Sequence, residues 1–333
     1  MSQPHLDPAA ARLRERLRWR LIAAAATPLS SDRAVDRQVL HRYLNGLVAD
    51  RADGLAVLAH TGRGPFLDGS TREAVIATAV ATGVPVVVGV TGPGDAESAA
   101  RLGAAGLLVF APPPGPGVAP ERGAGTAPDR GVGTAPDRGA RRPDPVAVHD
   151  AIWCASGLPM IAFDLYSNPY PATLLAELLA HPGVAALKVA RLDDAVACQA
   201  GIAACTAAGR LAVTGEDRMF GASLLWGAQA ALVGIAAAAV PASAGVLRAF
   251  AERRYPEFVA GSARLDRFAA ATFAEPVDGY VQRMLWIAAA EGRIPAGFAT
   301  DHFGPELGPD DRDHTLRALK QVSGTGADRG RAA

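Results

Sequence analysis

Lys188 lies in Val184-Ala185-Ala186-Leu187-Lys188-Val189-Ala190, the one charged residue of an otherwise apolar run. Desolvation in such a run favours the neutral amine. A neutral amine at a strand end can attack a ketone and form a Schiff base, an electron sink for carbon–carbon chemistry. Two plainer roles compete: the side chain could snorkel to the rim of the sheet, or pair with Asp193 or Asp194. Composition favours the chemistry, because Lys188 and Lys320 are the only lysines among 33 basic residues and arginine cannot form an imine. His60-Thr61-Gly62-Arg63 is a second cluster. His60 titrates near neutral pH and could act as general acid or base, or be held by backbone. Arg63 could grip a carboxylate bidentately, or pair with Asp68 or a neighbour's acid. Tyr166, in Phe163-Asp164-Leu165-Tyr166-Ser167-Asn168-Pro169-Tyr170, offers a phenol; its plainer roles are packing under its loop or facing a neighbouring subunit. Glu216 and Asp217, after Gly215, read as caps for the helix that follows.

Thirty-three acidic residues balance the basic ones to a net charge of +0, which leaves no electrostatic footprint for nucleic acid or an anionic membrane. Half of the residues are hydrophobic and a fifth charged, enough for a sizeable core. No apolar run reaches the ~18 residues of a membrane span. Met1–Trp19 alternates arginine with leucine and alanine and has no secretory h-region, so a cytoplasmic protein is expected. Cys198 and Cys205 would share one helix face and read as packed thiols, with Cys154 apart. The histidines do not cluster, so neither a metal nor a cofactor is expected.

These side chains need a scaffold, and the hydrophobic pattern supplies one. Short, near-continuously apolar runs recur at Leu21–Ala26, Gly54–Ala59, Val84–Val90, Gly106–Ala111, Pro159–Phe163, Val184–Val189, Arg210–Thr214 and Ala230–Ile235. Such runs are expected of strands buried on both faces of a parallel sheet. Helical patterns lie between them, at Asp36–Val48, Pro171–Leu179 and Asp193–Ala207, and Ser70 with Glu73 has the spacing of a capping box. Eight strands alternating with helices predict an α/β fold, a (β/α)8 TIM barrel over residues 19–245. A doubly wound sheet is the alternative, but Thr27-Pro28-Leu29-Ser30 after the first strand has no glycine to cradle phosphate. Function in a barrel gathers where strands pass into the following loops, and His60, Tyr166 and Lys188 all fall there.

Residues 115–143 hold an imperfect octad repeat, Gly123–Arg130 followed by Gly131–Arg138, with a composition that cannot bury a core. They are expected to be a disordered insertion after strand four. Val246–Arg254, Pro256–Phe273, Pro276–Glu291 and Asp310–Val322 predict a helical C-terminal region, 246–322, with tails at 1–18 and 323–333.

Several segments, taken together, resemble the dihydrodipicolinate synthase / N-acetylneuraminate lyase family, class I aldolase-type barrels acting on pyruvate or related 2-keto acids. Ala26-Thr27-Pro28 with Val35-Asp36 is similar to the family's opening strand and loop. Asp53-Gly54-Leu55 leading to His60-Thr61-Gly62-Arg63 resembles the Gly-Thr-Thr-Gly-Glu loop that holds the keto-acid carboxylate. Ala185–Ala190 resembles the strand of the Schiff-base lysine, and Gly215-Glu216-Asp217 the Gly-Asp-Asp turn after strand seven. Gly227-Ala228 through Gly234 is similar to the strand-eight segment lining the substrate pocket, with Leu232 at the contacting position. The departures are specific. His60 and Arg63 replace a threonine and the glutamate, Phe163 stands where the family has a proton-donating tyrosine, and Asn168 falls where dihydrodipicolinate synthase has its second-carboxylate arginine. Pro112-Pro113-Pro114 replaces a tyrosine-bearing loop.

The resemblance therefore implies a lyase in which Lys188 forms the imine, Thr61 and Gly62 hold the carboxylate, and Tyr166 or His60 moves the proton. Dihydrodipicolinate formation itself is not expected. The partner would be a small 2-keto acid, and the family suggests a homodimer or homotetramer. The alternative is a catalytically impaired barrel that binds keto acids or another protein. A phosphate-dependent isomerase is disfavoured, because Glu216 and Asp217 would repel phosphate.

Overall fold

The computed structural model describes residues 4–111, 144–192 and 194–323. Insertion 115–143 and the tail from 324 onward fall outside these residues. Eight strands close into a parallel barrel in sequence order: β1 Leu21–Ala24, β2 Gly54–Val57, β3 Val86–Val90, β4 Gly106–Phe110, β5 Met160–Leu165, β6 Val184–Ala190, β7 Leu211–Thr214 and β8 Ala230–Val233. Each expected strand is present, with ends moved by one to two residues where ladder pairing stops or continues. The helices are α1 Pro8–Leu17, α2 Arg37–Ala49, α3 Gly69–Val80, α4 Pro93–Arg101, α5 Pro145–Ser156, α6 Ala172–Ala180, α7 Ala195–Ala207, α8 Phe220–Leu225, α9 Val240–Ala251, α10 Tyr255–Thr272, α11 Tyr280–Ala290 and α12 Pro309–Ser323.

Alternation along the strands sorts side chains into two packed sets. Ile22, Ala24, Ala56, Val87, Leu108, Ile161, Phe163, Ala186, Val213 and Leu232 fill the barrel interior. Leu21, Ala23, Leu55, Val57, Leu107, Val109 and Leu187 face the helices. Both faces are dry, which is why these strands read as continuous apolar runs. Helix α1 lies in what reads as a tail. Its Ala10, Leu13 and Leu17 join the interior set, and Leu13 reaches the backbone of Gly106, where a Cβ would lie only 2.7 Å from its Cδ2. Burying such a leucine is worth ~1.5–3 kcal/mol.

Asp36 caps α2 by accepting from the amides of Gln38 at 2.8 Å and Val39 at 3.1 Å. At α3 the capping-box expectation is overturned. Asp68 is the cap, accepting from Thr71 N at 2.8 Å, while Ser70 donates to Asp68 and Glu73 binds Arg101 on α4. The acid two residues earlier starts the helix sooner, because its charged oxygen accepts from Thr71 N and makes a stronger cap than the Ser70 hydroxyl would. Helix α9 starts at Val240 rather than near 246, following a 3-10 turn, Gly234–Ala237, that leaves β8. Helices α10 and α11 then bring residues 273–280 back across the C-terminal mouth of the barrel, and α12 packs on both.

Candidate active site

Lys188 is on β6, in register with Phe163 of β5 and Val213 of β7. It shares its side of the strand with Ala186, so its side chain enters the barrel. Only 6% of it is exposed, and its Nζ sits 3.9 Å from the centre of the Phe163 ring. Gly215 gives it room: a Cβ there would meet Lys188 Cε at 2.6 Å. Burial lowers the amine to about 8, against the opposing pull of Asp217 and Glu216. Among the described residues it forms no ion pair; Asp194 instead caps α7, accepting from Ala197 N at 2.9 Å.

Burial raises both neighbouring acids to about 7, with backbone donors and Lys188 pulling the other way. Asp217 accepts from Ile235 N at 2.7 Å. Glu216 accepts from Leu192 N at 2.9 Å and from Arg191 N. They do not cap the next helix, as their position after β7 suggests; α8 begins at Phe220, and its first turn has no side-chain cap. The two carboxylates instead brace the exits of β6 and β8 around the amine. Asp164 does the same for β5, accepting from Tyr170 N at 2.9 Å and pairing with Arg191 at 2.8 Å.

The opposite wall comes from the β2 exit and the C-terminal segment. Thr61 Oγ1 lies 2.9 Å from the Tyr280 hydroxyl, and His60 Nδ1 lies 3.0 Å from the same oxygen. His60 Nε2 faces Asp278 Oδ1 at 3.6 Å, and Tyr166 donates to that carboxylate oxygen at 3.0 Å. Tyr280 stacks on Phe273, with ring centres 4.6 Å apart. Burial lowers His60 to about 4, partly offset by Asp278, so its ring is neutral at pH 7. Burial raises Tyr166 and Tyr280, with Asp278 adding to the effect on Tyr166 and Asp217 to that on Tyr280.

His60, Thr61, Tyr166, Lys188, Asp217 and Tyr280 are among the residues enclosing a cavity of about 30 Å³, room for a water or two. The structure thus brings four of the predicted residues together: Lys188, Tyr166, His60 and Thr61. Gly62 lies just behind, its carbonyl accepting from Thr27 Oγ1 at 2.8 Å. Arg63 and Leu232 do not line the cavity. Arg63 is buried and held by Asp301, 2.7 Å from Nη2, and by the Asp278 carbonyl at 3.1 Å; it does not pair with Asp68. Leu232 sits in the interior layer opposite Ile22, and Gly234, two residues on, lines the cavity instead. Tyr280, Asp278 and Phe273 had no local signal, since Tyr280 stands 219 residues from Thr61. A wider open groove of about 530 Å³ between α2 and α3, lined by Arg37, His41, Arg42 and Thr78, shares no lining residue with this cavity. Among the described residues no group of His, Cys, Asp and Glu is placed to hold a metal ion, and no helix is long and apolar enough to cross a membrane.

Fold and site define a (β/α)8 barrel with a desolvated lysine at its C-terminal mouth. Residues 18–112 match the Dihydrodipicolinate synthetase family. A 4-hydroxy-tetrahydrodipicolinate synthase of Prochlorococcus marinus (strain MIT 9211) is 35% identical over 102 residues, which cover 28% of this chain and 34% of the relative. The chain thus aligns with about a third of the length of the curated relatives it matches. Among solved structures, a prophage protein of the dihydrodipicolinic acid synthase family from E. coli K12, in complex with pyruvate, superposes with a TM-score of 0.76 at 16% identity, covering 91% of this chain and 98% of that one. N-acetylneuraminate lyase from Mycoplasma synoviae gives 0.71 at 13% identity, covering 92% and 98%. At these identities the structural likeness is one of fold. The sequence likeness to the Dihydrodipicolinate synthetase family thus lies within residues 18–112, and the likeness across the rest of the chain is one of barrel fold.

Proposed function

We propose that the protein is a Schiff-base lyase acting on pyruvate or a related 2-keto acid. The observation that carries the reading is Lys188: a buried amine lowered to about 8, at the C-terminal end of a barrel strand, with no ion pair among the described residues. At pH 7 to 8 a useful fraction is neutral and can add to the ketone carbon. Loss of water gives an iminium, which draws an electron pair from an adjacent carbon and so permits aldol cleavage or condensation, dehydration or decarboxylation. The backbone amides of Thr61 and Gly62 are the groups assigned to the carboxylate, which leaves the Thr61 hydroxyl to Tyr280. Entry of a keto acid into the 30 Å³ cavity requires Tyr166 or Leu192, at its rim, to give way. The pyruvate bound to the E. coli relative supports the substrate class. We read the protein as a cytoplasmic homo-oligomer; Val196, Leu225 and Val259, large apolar side chains left exposed on α7, α8 and α10, support self-association.

Borohydride reduction with pyruvate, then peptide mass spectrometry, tests the reading. A reduced pyruvyl adduct on Lys188, absent in Lys188→Arg, is expected. No adduct with any 2-keto acid, together with thermal stabilisation by those acids, would establish the binding-protein alternative instead.

A further inference from the structure

We propose that Tyr280, delivered by the C-terminal segment, is the proton-relay residue of this site, acting through Thr61 and backed by His60 and Asp278. The proposal rests on the Lys188 imine. Three phenols or rings compete for the role, and geometry separates them. Phe163, over the amine, has no hydroxyl. Tyr166 donates its proton to Asp278 at 3.0 Å, so that proton is held by a carboxylate at the rim. Tyr280 alone has its oxygen between Thr61 and His60, at 2.9 and 3.0 Å. Gly234 keeps it there: a Cβ on that residue would lie 2.8 Å from Tyr280 Cε2 and 3.3 Å from Thr61 Oγ1. Asp278 faces His60 Nε2 and so favours the tautomer with hydrogen on that nitrogen, leaving Nδ1 to accept from Tyr280. Thr61 then donates to Tyr280, and its oxygen accepts from whatever occupies the cavity.

In aldol cleavage the proton of the substrate's C4 hydroxyl passes to Thr61 Oγ1, Thr61 passes its own to Tyr280, and Tyr280 passes its own to His60 Nδ1. The C3–C4 bond breaks, a carbonyl forms at C4, and the electron pair moves through the iminium to the Lys188 nitrogen as an enamine. His60 then carries one added proton opposite Asp278. Protonation of the enamine at C3 returns that proton through the same chain and restores the iminium for hydrolysis.

Pyruvate in deuterium oxide tests the relay without a second substrate, because enamine formation exchanges the methyl hydrogens, followed by proton NMR. Tyr280→Phe should slow exchange by about 100-fold or more, the scale of general acid–base catalysis, while borohydride still traps pyruvate on Lys188. Tyr166→Phe should slow exchange by less than Tyr280→Phe does, and an equal or larger loss in Tyr166→Phe would overturn the assignment of the relay to Tyr280. Replacing Tyr280 with 3,5-difluorotyrosine, which keeps the ring and its packing, should move the basic limb of the exchange-rate profile to lower pH; a structural tyrosine would not move it, and this readout serves if Tyr280→Phe folds poorly. Wild-type exchange in Tyr280→Phe, or an unmoved profile, overturns the relay. Trapping without exchange in the wild-type protein overturns the relay and leaves the lysine assignment standing, whereas the lack of both overturns the two together.

Discussion

The chemistry proposed for Lys188 depends on a balance of opposed influences. Burial pushes the amine toward neutrality, and the charges of Asp217 and Glu216 hold it back near 8. Removing one charge must tip that balance. Asp217→Asn keeps the acceptor for Ile235 N but loses the negative charge that favours the ammonium form. The rate of pyruvate trapping in wild type should therefore rise with pH through a midpoint near 8, and the midpoint should move downward in Asp217→Asn. Because lysine and acid titrate as a coupled pair, the midpoint belongs to both; an upward or unchanged midpoint would refute this balance. Lys188 was legible from the sequence because it breaks an apolar run, and charge in such a run needs a reason. Arg63 was legible only as a guanidinium, and nothing near it foretold its ion pair with Asp301.

Two glycines show how the elements set the site. Gly215 follows β7 and makes space for the Lys188 stem, with the Val189 carbonyl 2.9 Å from any added Cβ. Gly234 follows β8 and makes space for Tyr280. Each Gly→Ala substitution overpacks its surroundings at a cost of about 1–3 kcal/mol, yet the functional outcomes should differ. Gly215→Ala should abolish trapping, because the lysine must move. Gly234→Ala should preserve trapping and slow pyruvate hydrogen exchange by at least about tenfold, because Tyr280 is displaced. Trapping by mass spectrometry and exchange by NMR on both variants check the pair. The strands themselves were readable as apolar runs, since a closed parallel barrel is dry on both faces. The capping box at Ser70 was misread because serine and glutamate match the pattern, whereas Asp68, two residues earlier, makes the stronger charged cap.

Across the whole molecule, the C-terminal segment is fastened to the β2 exit by Arg63. Its side chain is 8% exposed and that of Asp301 only 2%, and Arg63 also donates to the Asp278 carbonyl. Asp301→Ala should destabilise the protein by about 3–5 kcal/mol, because it strands a buried guanidinium. The double substitution Arg63→Met with Asp301→Leu should recover most of that loss. Urea denaturation of the three proteins measures it, and equal midpoints for wild type and Asp301→Ala would refute the fastening. By itself the sequence determined the barrel, its strand order and the lysine, because hydrophobic periodicity and an isolated charge are local signals. Only the tertiary structure decided who faces the lysine. Tyr280 begins a helix that looks like any other, Asp278 sits in the short turn before it, and Leu232, at a position that resembles a pocket contact, packs inside the barrel. Which side chains meet at a barrel mouth depends on chain closure over more than two hundred residues, and no local pattern encodes that distance.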